Sequence, residues 1–303
     1  MKNTFSENER ACERVFDCGG KYWHAYTDGQ TTQIMFKNTE DYTFAMNVIA
    51  QAANEYSEIK LIAFTVMSNH FHFVISTVQD NYIRDFYTFI RRRISRSIPE
   101  IRRTRLSLKP IDNLKSLRNN IVYTNRNGYV ADPGHTPFSY PWGTGRHYFN
   151  SVPYFQKISD FHTDARRIMF RGRAPHLPEN WGMAEGYISP PSFCDIVFGM
   201  ELFRNAHQYF SMVSKNVEAY SGVAAEIDDS EFLTDTELFA QVNIILKSDF
   251  GQSSLRDLSK AQKLDLARSL HYDYRSSNGQ IHRVIGIPMN IINNLFPLST
   301  KHK

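Results

Sequence analysis

The sequence predicts an α+β protein: an antiparallel sheet with helices over residues 21–150, followed by a mostly helical C-terminal region. Three observations carry this. Two strongly apolar runs, Leu61–Met67 and Phe71–Thr77, flank the short polar break Ser68-Asn69, the pattern of a buried β-hairpin. The aromatic run Lys21–Thr27 reads as a strand ahead of it, and segments of helical period lie between and after these strands. Beyond residue 151 strand signals become rare and helical spacings recur.

In order, residues 1–20 form a polar, charged segment. Lys21–Thr27 is the first strand, Asp28-Gly29 a turn, and Gln33–Lys37 is expected to continue the sheet. Asn38-Thr39-Glu40-Asp41 reads as a helix start, with Phe44, Val48, Ile49 and Ala52 as the apolar stripe of a helix over 41–56. The hairpin follows. Ile83–Ser97 is a second helix, striped by Phe86, Phe89, Ile90 and Ile94. Asp112–Asn125 is a third, with Leu114, Leu117, Ile121 and Val122 as its apolar face and Asn127-Gly128 as its expected stop. Asp132–Tyr148, rich in Pro, Gly and aromatics, is expected to be an ordered loop. Helices are then expected over 159–170, 192–203, 205–217 and 235–247. The segment 258–296 has two short helices broken at Gly286-Ile287-Pro288 after a longer one, which fits a helix-turn-helix or a plain helical hairpin. The expected organisation is a polar segment 1–20, a domain 21–150, a helical extension 151–250 and a helix-turn-helix-like segment 251–303.

Composition narrows the class. No apolar run is long enough to span a bilayer, so no membrane partner is expected. Cys12, Cys18 and Cys194 have no ligand spacing, as expected of reduced thiols in a cytoplasmic protein, and the polar start argues against a signal peptide. Between Arg84 and Arg118 eleven basic residues face three acidic ones, a local excess larger than the net charge of +4 of the whole chain. Such clustering suits a phosphate backbone, with a solvated face as the plainer reading. Arg91, Arg92, Arg93, Arg96, Lys115, Arg118 and Arg126 are the candidate contacts.

The chemistry centres on the hairpin. His70 and His72, two apart on a strand, leave the same face. Asn127 would add a neutral amide oxygen, and the three would leave open positions on a divalent ion acting as Lewis acid on a phosphoryl oxygen. Tyr123 precedes Asn127 by one helical turn, so the two side chains share a face. A phenol is a poor nucleophile until a cation and basic groups stabilise its anion and the transition-state charge. Trp142, Tyr140 and Tyr148 are candidates for base stacking, against packing on the sheet.

These residues carry a resemblance. VMSNHFHFVIS resembles the MPNHxHxL(V/I) signature of the HUH-superfamily single-tyrosine transposases, with His70-Phe71-His72 as the triplet. IVYTNRNGYVADP followed by FSYPWGTGRHY resembles the YIxxNPVRAGLV…DYPWSSYxxY segment of the REP-associated tyrosine transposases, and the similarity spans roughly residues 20 to 150. It implies a ferredoxin-like antiparallel sheet with helices, His70, His72 and Asn127 as ligands of Mg²⁺ or Mn²⁺, and Tyr123 as nucleophile. It further implies cleavage and rejoining of single-stranded or hairpin DNA through a 5′-phosphotyrosine. Ser68 stands where the signature has proline, Gly128 stands where proline follows the asparagine, and the GxLWQxRF stretch is absent. A DNA-binding protein that keeps the fold without cleavage is the rival reading. A hydrolytic metalloenzyme is a third, which leaves Tyr123 and the basic belt without a role. The sequence leaves monomer and homodimer equally open.

Overall fold

The structure is a computed structural model that describes residues 2–29, 33–131, 135–136, 138–151, 156–215, 223 and 233–297. The chain forms two compact units, Met1–Asn216 and Val217–Lys303. The boundary between these units falls between the boundaries expected at 150 and 250. Residues on both sides of the expected first domain build the first unit.

That unit begins with α1 (Lys2–Cys18) and β1 (Tyr22–Thr27). Next come α2 (Thr39–Glu55), β2 (Lys60–Val66), β3 (Phe71–Ser76), α3 (Asp80–Ile94), β4 (Leu106–Ile111) and α4 (Leu114–Ala131). The four strands form one antiparallel sheet in the order β2-β3-β1-β4. Alternation along β3 sorts its side chains. Phe71 meets Tyr87 and Phe73 meets Phe86, so α3 covers that face of the sheet. His72 points the other way and meets Tyr123 of α4. The two helical layers are thus on opposite faces.

Residues 33–37 do not continue the sheet. Central β1 already has β3 on one side and β4 on the other, so it has no edge to offer. Met35 and Phe36 are instead buried as a plug, their backbone N–H groups donating to the Ser68 carbonyl at 2.8 and 2.9 Å. The basic segment Arg102–Lys109 runs into the unexpected strand β4. Asn38 caps α2 through its side chain, which accepts from Asp41 N at 2.9 Å.

α4 runs through Asn127-Gly128 instead of stopping there. The reason is packing: the Tyr140 ring lies where a Gly128 Cβ would be, and Tyr140 Oη donates to Val66 O at 2.7 Å. The segment 140–148 then follows β2. Val66 N donates to Trp142 O, Thr144 N to Phe64 O, and Tyr148 Oη to Ile62 O. Tyr140 and Tyr148 are buried, and Trp142 stacks on Tyr42, so all three pack against the sheet and its neighbours.

Residues flanking the expected domain complete the unit. Tyr22 Oη donates to Phe16 O at 2.6 Å, which ties α1 to β1. A small sheet joins β5 (Gln156–Lys157), β6 (Gly182–Ala184) and β7 (Tyr187–Ile188), and Ile188 N donates to Asn47 Oδ1 of α2 at 2.9 Å. The expected helix 159–170 is a 3₁₀ turn followed by α5 (Thr163–Met169). The expected helix 192–203 shortens to α6 (Ile196–Glu201). α7 (Ala206–Lys215) places Tyr209 on the Tyr148 ring, and residues 216–217 of that expected helix lie outside the described residues.

The second unit is helical. It comprises α8 (Asp235–Ser248), α9 (Lys260–Tyr272), α10 (Asn278–Ile285) and α11 (Met289–Leu295). Thr234 with Glu237 and Ser259 with Gln262 make capping boxes at the starts of α8 and α9. Gly286 ends α10 in the left-handed region at φ 71°, and Pro288 starts α11. Leu266, Leu270, Ile281 and Ile292 are buried, while α11 turns Met289 and Ile291 towards solvent. Among the described residues no helix is long and apolar enough to cross a membrane.

Candidate functional site

The site is a layer of side chains between the sheet and α4. From β3 come His72, wholly buried, and His70 just before it, half-buried, their rings edge to face with centroids 4.9 Å apart. From α4 comes Tyr123, wholly buried, its ring centroid 5.7 Å from that of His72. Asn127, also buried, follows one turn later on the same side of α4. The helix is held on the sheet by Thr65 Oγ1 of β2, which donates to Thr124 O at 2.5 Å. On the next residue, the Asn125 side chain accepts from Thr144 Oγ1 at 2.7 Å and donates to Tyr209 Oη at 3.1 Å.

β1 supplies residues that the motifs do not flag. His24 and Tyr26 lie on the His72 face. His24 Nε2 is 3.1 Å from His72 Nδ1, and His24 Nδ1 is 2.6 Å from Asn120 Oδ1 of α4. The Tyr26 ring stacks over His72 at 6.4 Å and is half-buried. Lys109 of β4 is the register partner of His24, so it shares that face. The signal was available: Tyr22, His24 and Tyr26 alternate in YWHAYT as His70 and His72 do in the hairpin.

Burial dominates the electrostatics. It pushes the His24 pKa down to about 4, against the hydrogen bond to Asn120 that raises it. It pushes His72 well below the usual imidazole range, with His70 and His24 adding in the same direction. Both rings are therefore neutral near pH 7, the state in which imidazole binds metals. Among the described residues no group of three or more His, Cys, Asp or Glu side chains could hold a metal ion. The expected donor set differs from that: two imidazoles and the amide oxygen of Asn127. The touching imidazoles of His70 and His72, with the buried Asn127 on the side of α4 that carries Tyr123, offer the nitrogen and oxygen donors that a divalent cation accepts.

The basic residues divide. Arg91, Arg92, Arg93 and Arg96 lie at the end of α3, in the layer on the opposite face of the sheet from Tyr123. Arg92 and Arg96 are exposed, and Arg93 keeps two buried N–H groups without a hydrogen-bond partner among the described residues. Lys115 is exposed on the first turn of α4. Arg118 and Arg126 are buried instead of lying on the surface. Arg118 is 6% exposed, forks onto Glu9 of α1 at 2.6 and 3.3 Å, and donates from Nε to Leu202 O at 2.6 Å. Arg126 is wholly buried.

No family model, no curated protein and no solved structure matches the chain.

Proposed function

We propose that the chain is a metal-dependent single-tyrosine transposase or endonuclease of the HUH-superfamily type, acting on single-stranded or hairpin-associated DNA. The observation that carries the reading is the contact between Tyr123 and His72 within one chain, with ring centroids 5.7 Å apart. The β-α-β-β-α-β order with strands β2-β3-β1-β4 supports a ferredoxin-like core. His70, His72 and Asn127 would hold Mg²⁺ or Mn²⁺. The bound ion would supply Lewis-acid polarisation of the scissile phosphoryl group.

In this mechanism the Tyr123 oxygen attacks phosphorus and loses its proton to solvent. The bond from phosphorus to the 3′ oxygen breaks, and that oxygen takes a proton from solvent and leaves as a hydroxyl. The product is a 5′-phosphotyrosine, which conserves the phosphodiester bond for rejoining. Attack by a 3′-hydroxyl then releases the tyrosine. Lys109 on the same sheet face would neutralise backbone phosphate. Tyr123 and His72 have no exposed surface, so the strand must displace part of the α4 layer to react. That same burial favours a second reading, a DNA-binding protein that does not cleave.

The test is a labelled hairpin with a single-stranded flank, incubated with Mn²⁺ and run under denaturing conditions. A covalent adduct is expected from the wild type, and none from Tyr123→Phe. An adduct that survives Tyr123→Phe removes Tyr123 as nucleophile. Tight, metal-independent hairpin binding with no adduct establishes the second reading.

A further inference from the structure

The buried contacts around His24 determine where the hydrogen sits on each imidazole. Asn120 Nδ2 donates to Ser116 O at 2.8 Å, which fixes the amide's orientation and turns Oδ1 towards His24. An amide oxygen has no hydrogen to give, so His24 Nδ1 is the donor across that 2.6 Å contact. His24 is wholly buried, and its two ring nitrogens meet an amide oxygen and another imidazole. Neither compensates a second proton, so His24 is neutral and its Nε2 carries a lone pair. Across the 3.1 Å contact His72 Nδ1 must then donate to His24 Nε2. The hydrogen of His72 is thereby placed on Nδ1, and its Nε2 is the lone-pair nitrogen.

His70 is set the same way. Asn69 Nδ2 donates to Gly29 O at 2.6 Å, which turns Asn69 Oδ1 to His70 Nδ1 at 2.7 Å. A Cβ at Gly29 would lie 2.6 Å from that same Nδ1, so glycine lets the chain close over the ring.

We propose that the relay Ser116–Asn120–His24 is a tautomer lock that holds His72 in its Nδ1–H form, matched by the Gly29–Asn69 lock on His70. Both histidines then offer Nε2 lone pairs to one divalent cation. His24 and Asn120 are positioning residues that act through His72. The cation is the one in the proposed function, and the inference rests on that reading for its purpose but not for the hydrogen positions. An outer partner of this kind tunes metal affinity by about 10–100-fold.

The experiment uses the full chain labelled with ¹⁵N in its imidazoles, without metal, at pH 7.5. Two-bond ¹H–¹⁵N spectra distinguish protonated from bare ring nitrogens. The wild type is expected to show protonated Nδ1 and bare Nε2 at His24, His70 and His72. Asn120→Leu removes the acceptor, frees His24 to turn its hydrogen to Nε2, and is expected to move the His72 hydrogen to Nε2. Mn²⁺ affinity, read from the free-ion electron paramagnetic resonance signal, is expected to fall about 10–100-fold in that variant. Asn119→Leu on the same turn should change neither readout, and thermal melting checks that each variant folds. Should Asn120→Leu not fold, the wild-type spectrum alone decides. A protonated Nε2 at His72 in the wild type, or unchanged spectra in folded Asn120→Leu, overturns the lock. If the wild type has the expected tautomers but binds no Mn²⁺, the lock stands and the metal reading falls.

Discussion

Replacing Arg118 with methionine separates a structural arginine from a nucleic-acid contact. The change keeps an apolar stem in the 6% exposed site and removes the guanidinium. Three hydrogen bonds disappear: Nε to Leu202 O at 2.6 Å, Nη1 to Glu9 Oε1 at 2.6 Å and Nη2 to Glu9 Oε2 at 3.3 Å. Breaking a fully buried ion pair costs about 3–5 kcal/mol. Here Glu9 is one-third exposed, at 33%, and keeps Arg204 Nε at 3.5 Å, so its carboxylate is not stranded. Discounting for that solvation, the expected loss is about 2–3 kcal/mol, a drop of roughly 4–12 °C in the melting temperature of a unit this size. The assay is calorimetry of wild type, Arg118→Met, Glu9→Gln and the double variant, with hairpin binding measured by fluorescence anisotropy below the transition. Glu9→Gln should cost less than Arg118→Met, and the cycle should show coupling above about 1 kcal/mol. Hairpin affinity of the folded variant should stay within about twofold. An unchanged melting temperature with weakened DNA binding would refute the burial argument and return Arg118 to the surface.

Two further outcomes follow from particular contacts. Burial lowers the His147 pKa from 6.5 to about 4, with Arg146 adding to the effect, and His147 Nε2 has no hydrogen-bond partner among the described residues. The folded state binds this proton less well than the unfolded chain, so its stability is intact above pH 6.5 and declines as pH falls towards 4. The full loss is on the order of 3 kcal/mol. Urea midpoints at pH 7, 5 and 4 should fall less steeply in His147→Leu than in the wild type. Gly128→Ala ought to gain helix stability of about 1 kcal/mol in an open helix. In this one the new methyl meets the Tyr140 ring, so a net loss of about 1–2 kcal/mol is expected. Chemical denaturation should show that sign reversing in a Tyr140→Ala background.

What the sequence reveals here depends on whether the deciding interaction is local. The hairpin, α2 and α3 were legible because their apolar periodicity is strong, and α2 also has its cap, Asn38, within a few residues. β4 was not, because LSLKPI mixes lysine and proline into the alternation, as an outer strand tolerates. Residues 33–37 look like a strand by composition, but the vacancy beside β1 is filled by β4, about seventy positions later. The Asn-Gly pair in α4 reads as a stop until Tyr140 is known to cover it. In the site, His70, His72, Tyr123 and Asn127 stood out as motifs, and His24 did not. A single histidine in an aromatic strand is most often a core residue, and its meaning comes from Asn120 across the layer. The burial of Arg118 is hidden for a related reason: charge density along the chain does not show that its partner Glu9 lies 109 positions earlier.

The chain running beside β2 has a consequence for assembly. The outward backbone groups of that strand are already spoken for: Leu61 O by Asp195 N, Ile62 O by Tyr148, Phe64 by Thr144, and Val66 by Trp142 and Tyr140. At the opposite margin β4 carries Pro110, which has no N–H to donate. A second copy of this protein, or an extended peptide, thus finds no ready template on β2 and an interrupted one on β4.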